Sequence, residues 1–260
     1  MDVMIERTDG QSFTLADYGV TARDFVVSSI PIIPRYGTSD GRHGTIDYGA
    51  TYGTRTISVP FYYKSDDMLD YATKRDTLFG IIGGLQSFYI REMRRDVYQT
   101  GDNVTVNDRK YKVRLVNDFA IEQSFKYGFG ELVFETTELP FGESDVISQT
   151  FTLPEFRLVN EGNVEIHPFE QQLKITISDS TRNIGHFEMR NITNGSSIRI
   201  NDNIATQDIV IDGARITSNG LDIIRKTDKG VITLSPGWND FEIVGTFDAK
   251  IKFEYPHYYL

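Results

Sequence analysis

Cysteine is absent from all 260 residues, which excludes disulfide frameworks, thiolate zinc sites, iron–sulfur clusters and cysteine nucleophiles together. Long apolar runs are missing too: none approaches the roughly 18 consecutive residues of a membrane-spanning helix, so no membrane insertion is expected. The opening MDVMIERTDG has no basic segment followed by an apolar one, so no secretory leader is expected and the chain reads as a soluble protein made in the cytoplasm. Positive charge is scarce, 27 Lys and Arg against 37 Asp and Glu for a net charge of −10. That balance argues against a protein whose work is to grip nucleic acid through its phosphates. The four histidines are scattered without H-x-x-x-H or H-E-x-x-H spacing, and no metal or other cofactor is expected. Apolar side chains are plentiful: 39% of residues are hydrophobic, with 17 Phe and 14 Tyr among them, enough for one large or two ordinary cores.

Period two dominates the pattern. Lys250 to Tyr255 alternates without a fault, and Leu173, Ile175 and Ile177, Phe187 and Met189, Ile198 and Ile200, Ile209 and Ile211, and Phe241 and Ile243 continue the theme. Successive strand side chains point to opposite faces, so the pattern predicts half-buried antiparallel strands. Asn194-Gly195, Asp212-Gly213 and Asn219-Gly220 punctuate it with residues that tolerate positive φ, and Asp212-Gly213 between QDIVI and ARITS predicts a hairpin. Such spacing points to a sandwich or jelly roll. In the first half, strands are expected around 25–30, 55–61, 85–91, 111–116 and 129–136, with a hairpin tip at Asn107-Asp108. One segment breaks the period. Ser65 can cap a helix over about 66–82, Asp66 and Asp67 suit its positive end, Gly83-Gly84 stop it, and Leu69, Ala72, Phe79 and Ile82 form its apolar stripe. Alternation lapses over LPFGESDVISQTFTLP. The fold class expected is therefore mainly β, two β-sandwich domains over 1–141 and 142–260, with one α-helix packed in the first.

Chemical motifs are weak. Gly37-Thr38-Ser39-Asp40-Gly41 spells G-x-S-x-G with His43 close behind, but a hydrolase serine needs a strand-to-helix elbow. Here prolines and glycines surround it and nothing helical follows, so a glycine-rich loop is the reading. Asn201 to Asp208 lacks the central Gly and terminal Glu of a calcium loop. Arg91, Arg94 and Arg95 cluster beside Tyr89 and Tyr98, interrupted by Glu92 and Asp96. That mixture suits a protein interface better than a nucleic-acid stack. No enzyme activity is expected.

Two stretches carry a resemblance. GTRTISVPFYYKSDDMLDYATKRDTLFGIIGGLQSFYIREMRRD, with its Arg75-Asp76 pair, then VNDRKYKVRLVNDF and GFGELVFETTELPFG, resembles the N-terminal domain of the siphophage distal tail protein family, Dit. VNEGNVEIHPFEQQLKITIS, NITNGSSIRIN, the DG hairpin and LSPGWNDFEIVGTFDAKIKFEYPHYYL are similar to the C-terminal galectin-like jelly roll of that family. The resemblance implies a homohexameric ring, the hub of the distal tail or baseplate of a siphovirus. It would join the major tail (tube) protein to the tail-associated tip protein, dock receptor-binding or adhesin proteins, and leave a central channel for DNA. The chain would then be a virion structural protein at the tail tip, synthesised in the host cytoplasm, with subunit contacts expected at Arg55, Tyr62, Tyr63, Arg91, Arg94 and Tyr98. An alternative is a carbohydrate-binding module for host-surface glycan. Galectin pockets use a His and an Arg on one strand and a Trp followed by a Glu, and His186, Arg190, Trp238 and Glu242 occupy such positions. Glu188 stands where an Asn is wanted and no Arg follows Glu242, so Trp238 after Pro236-Gly237 reads as a core or edge-packing residue.

Overall fold

The computed structural model describes residues 1–95, 103–178, 187–201, 208–245 and 248–260. The chain divides into two compact units, Met1–Gly142 with Leu260, and Glu143–Tyr259.

The first unit contains β1 (Asp2–Glu6), β2 (Ser12–Thr14), β3 (Val20–Ala22), β4 (Val26–Val27), β5 (Ile32–Gly37), β6 (Ile46–Tyr52), β7 (Thr56–Lys64), α1 (Met68–Ile82), β8 (Phe88–Arg95), β9 (Asn103–Leu115), β10 (Glu122–Ser124) and β11 (Tyr127–Thr136). Its antiparallel sheet runs β2-β1-β8-β9-β11-β7-β3, with β10 on β11 and β4 on β7. The sheet curls around one core fed by β1, β3, β7, β8, β9, β11 and α1. In β7 the period-two pattern places Ile57, Val59, Phe61 and Tyr63 inward, each 1% exposed or less. Burying such a side chain contributes on the order of 1.5–3 kcal/mol relative to leaving it in water. Opposite them, Gly128 and Gly130 of β11 pair with Tyr63 and Phe61, whose rings lie 2.5 and 2.6 Å from where a Cβ would be. Only glycine lets the two rings lie flat over the neighbouring backbone.

Helix α1 begins two residues later than its composition suggests. Asp67, and not Ser65, is the cap: its carboxylate accepts the Leu69 and Asp70 N–H groups at 2.8 and 2.9 Å. The Ser65 hydroxyl instead donates to the Lys126 carbonyl. The buried stripe is Tyr71, Leu78 and Ile82, so the expected stripe is corrected: Leu69 is 78% exposed and Phe79 only half-buried, its ring against Phe119. Asn107 and Asp108 do take positive φ, 54° and 49°, but they form no hairpin tip. β9 runs through them and pairs with β8 on both sides, the register shifting between Arg91 and Met93, so the two left-handed residues make a bulge.

At the boundary lies β12 (Gly142–Glu143). The second unit follows with β13 (Ile147–Phe151), β14 (Glu155–Asn160), β15 (Lys174–Ser178), β16 (Phe187–Asn191), β17 (Ser197–Ile200), β18 (Ile209–Asp212), β19 (Arg215–Ser218), β20 (Leu221–Asp222), β21 (Gly237–Val244), β22 (Lys250–Tyr255) and β23 (Tyr258–Tyr259). One sheet runs β13-β22-β15-β18-β19-β20 and the other β14-β21-β16-β17. They face each other through aromatic rings: Phe156 stacks on Phe151 at 4.2 Å and on Phe241 at 5.1 Å, with Phe253 edge-on. Ile251, Phe253 and Tyr255 are 0% exposed, and Asp212 pairs with Arg215 across the two-residue hairpin loop. The chain is thus mainly β, built as β-sandwich domains, with one α-helix among the described residues.

Candidate assembly surface

The β5–β6 pair belongs to none of the three larger sheets. Ile32, Ile33, Tyr36, Tyr48 and Tyr52 on this ribbon are between 47% and 66% exposed. Its two strands pair from Ile32↔Tyr52 to Gly37↔Ile46 with a bulge at Pro34/Tyr36, and the G-x-S-x-G string with Ser39 is the turn between them. A two-stranded ribbon with apolar side chains in water on its faces is a surface awaiting cover. Nothing in the strand periodicity marked it, because neither face is selected by this chain's own core.

A second exposed patch lies on the outer face of the first sheet. Tyr62 meets Tyr127 and Phe129 at ring distances of 6.5 and 6.3 Å, and those two rings are 6.2 Å apart. Arg23 borders them. Tyr62 is therefore placed at the surface, as a subunit contact requires. Its neighbour Tyr63 is not: it is 0% exposed, its ring 5.4 Å from Tyr71, and its hydroxyl pKa is pushed up, chiefly by burial. Strand parity decides this, since adjacent residues of β7 face opposite ways. Arg91 is also interior, 5% exposed, its Nε donating to Glu6 Oε1 at 2.6 Å. Arg55 is 4% exposed. These three contact candidates are thus buried within the single chain. Arg94 is 55% exposed, bonded to Glu92 and 3.7 Å from Asp24. Asp24 directly follows Arg23, the residue that borders the Tyr62 rings. Tyr98 lies outside the described residues.

The alternative site sits on the outer face of the four-stranded sheet. Arg190 and Glu242 are cross-strand partners, and Trp238 and Glu242 share a face of β21. Trp238 is 57% exposed, which removes the core from the two expected places, core or edge. Arg157, which the sequence did not single out, lies over its ring at 5.3 Å and donates from Nε to Asp240 at 2.6 Å. Arg190 gives two hydrogen bonds to Glu188, at 2.8 and 3.0 Å, and Arg199 two more, at 3.1 and 2.9 Å. These bonds, Arg190's first, hold the Glu188 carboxyl below the usual range. His186 and residues 202–207 of the Asn201–Asp208 segment lie outside the described residues. Among the described residues, no three His, Asp or Glu are grouped to hold a metal ion, and no helix is long and apolar enough to cross a membrane.

Residues 8–136 match the family described as phage tail protein RIFT-related domain, which makes that segment a phage tail domain. Along its whole length it has the fold of the Dit protein of phage SPP1. The two superpose with a TM-score of 0.71 at 16% identity, covering 98% of each chain; that structure is described as a paradigm of the hub adsorption apparatus in phages infecting Gram-positive hosts. The expected likeness to siphophage Dit holds in family and in fold. Baseplate chains of phage p2 are more distant. One, from the activated conformation with Sr, gives a TM-score of 0.44 at 9% identity over 97% of each chain. Another, from the activated conformation with Ca, gives 0.43 at 9% identity over 98% and 97%. No curated protein sequence matches the chain.

Proposed function

We propose that the chain is the homohexameric hub of a siphovirus distal tail, joining the tail tube to the tip protein and docking receptor-binding proteins around a channel for DNA. It works by self-association, without turnover. The observation that carries this reading is the β5–β6 ribbon, whose apolar residues remain 47–66% exposed in the single chain. Charge supports it: six copies at −10 each carry −60, which repels DNA phosphates from the walls of a conduit. The test replaces Ile32 and Tyr48 by Asp. Wild-type protein at tens of micromolar should give a light-scattering mass near six times 29.6 kDa and rings in negative stain. The double variant should stay monomeric with thermal stability within a degree or two of wild type, since both side chains are exposed in the single chain. Hexamers formed equally well by the double variant would rule out the ribbon as the contact.

Exposed Trp238, set among Arg157, Arg190, Asp240 and Glu242, supports a second reading, that the galectin-like sheet face binds host-surface glycan. Galactoside binding at millimolar affinity, abolished by Trp238→Ala, is the expected result of a calorimetric titration. No heat at tens of millimolar sugar counts against it.

A further inference from the structure

Where β7 begins, a charge is buried without a counter-ion. Arg55 is 4% exposed, its Nε has no hydrogen-bond partner, and among the described residues no carboxylate pairs with it. Its backbone is fixed: the N–H donates to Thr136 Oγ1 at 2.9 Å and the carbonyl accepts the Thr136 N–H at 2.9 Å. The guanidinium is held 5.8 Å from the centre of the Tyr111 ring. Burial first, and then the like charge of Arg109, hold the Arg55 pKa below its ordinary value, with Tyr111 opposing. Two guanidiniums close enough to repel each other share one open cleft of about 540 Å³, with Ser28, Ser29, Tyr52 and Tyr111 on its walls. Leu260 also lines it.

A buried unpaired charge is strongly unfavourable. In a hydrophobic core the remedy is to replace the charge with an apolar side chain; here the arginine is kept, and it faces a cleft open to solvent. We infer that this cleft is an oxyanion-binding site, in which Arg55, with Arg109 beside it, takes a carboxylate or phosphate group. The guanidinium fork matches either group in a two-point hydrogen bond. The arginine is already desolvated by folding, so an arriving anion adds attraction without that cost. Ile32 and Tyr52 at the base of the ribbon border the same cleft, so the anion has two sources: a free ion, or a carboxylate of a second copy seated on the ribbon. The second source rests on the ring reading; the site itself does not.

The test is a thermal-melt titration of the whole chain, dilute enough to be monomeric, with sodium phosphate and sodium acetate against sodium chloride at constant ionic strength. Phosphate should raise the melting temperature saturably, by roughly 3–8 °C, acetate less, and chloride not at all. Arg55→Met should lose the shift while melting in chloride at or above the wild-type temperature, because it removes an uncompensated buried charge. Arg55→Lys, which keeps charge but not the fork, should retain only part of the shift. A wild type indifferent to phosphate, or an Arg55→Met chain that responds as wild type does, overturns the proposal, and the wild-type titration decides even if the variants do not fold. At concentrations where the chain associates, phosphate that competes with association, together with weakened association in Arg55→Met, identifies the second copy's carboxylate as the occupant. Association untouched by either identifies a free anion. A chain that never associates defeats the ring reading and leaves the melt titration intact.

Discussion

His257 and Tyr258 are adjacent, both nearly inaccessible at 5% and 2% exposure, and they respond to opposite ends of the pH scale. The His257 Nδ1 accepts the Glu161 N–H at 3.2 Å, as a neutral imidazole does. Burial holds its pKa below the usual 6.5, with the Glu161 charge opposing. The unfolded chain therefore takes up this proton first as pH falls. Stability from this group is full above about pH 6.5 and declines below it, by at most about 1.4 kcal/mol per pH unit. Melting temperatures measured from pH 7.5 to 5.5 should fall for wild type and stay nearly level for His257→Gln; parallel curves would contradict the assignment. Tyr258 is pushed up to about 12 by burial, so its contribution is present below pH 10 and is lost as pH rises toward 12. Little of this was legible in the sequence. PHYYL shows three polar-capable side chains in a row, and only the packed structure says which lose their water.

Asparagines, more than glycines, lock the loops of the second unit to its strands. Asn160, Asn191 and Asn239 are each 0% exposed. Asn239, in the P-G-W-N turn, accepts from Ser235 N–H at 2.9 Å and from Asn191 Nδ2 at 2.8 Å, and donates to the Ser235 and Gly237 carbonyls at 2.8 and 3.1 Å. Truncation to Ala leaves several of these groups dry and unpaired, which should cost about 3 kcal/mol in a urea unfolding titration; less than about 1 kcal/mol would show the clamp to be incidental. The sequence motif was visible, though its chemistry was not. Elements whose logic is local were readable: the alternating strands, the DG hairpin and the helix. Elements decided by distant partners were not. The Asn107-Asp108 bulge uses the same left-handed residues as a hairpin tip, and only pairing with β8 distinguishes them. The buried face of α1 follows Tyr71 and Leu78 because Tyr63 and the sheet core lie there, which no helical period could reveal.

For the whole molecule, the readable part was the overall plan: an acidic chain without cysteine, mainly β, with a helix in its first half and the order of segments seen in siphophage Dit. The exposed residues through which such a protein would meet its neighbours were the unreadable part. Tyr63 and Arg91 look like contact residues in sequence and are buried, Tyr62 is only half-buried beside Tyr127 and Phe129, and the ribbon's Ile32, Tyr36 and Tyr48 drew no notice. Surface residues meant for another molecule obey that molecule's geometry, so their pattern is incomplete within one chain. A ribbon of two strands has too few internal contacts to set its own twist in water. On the ring reading, a subunit settling against Ile32 and Tyr48 would also shape them, so that recognition and the last stage of folding would become a single event whose timing is governed by local concentration.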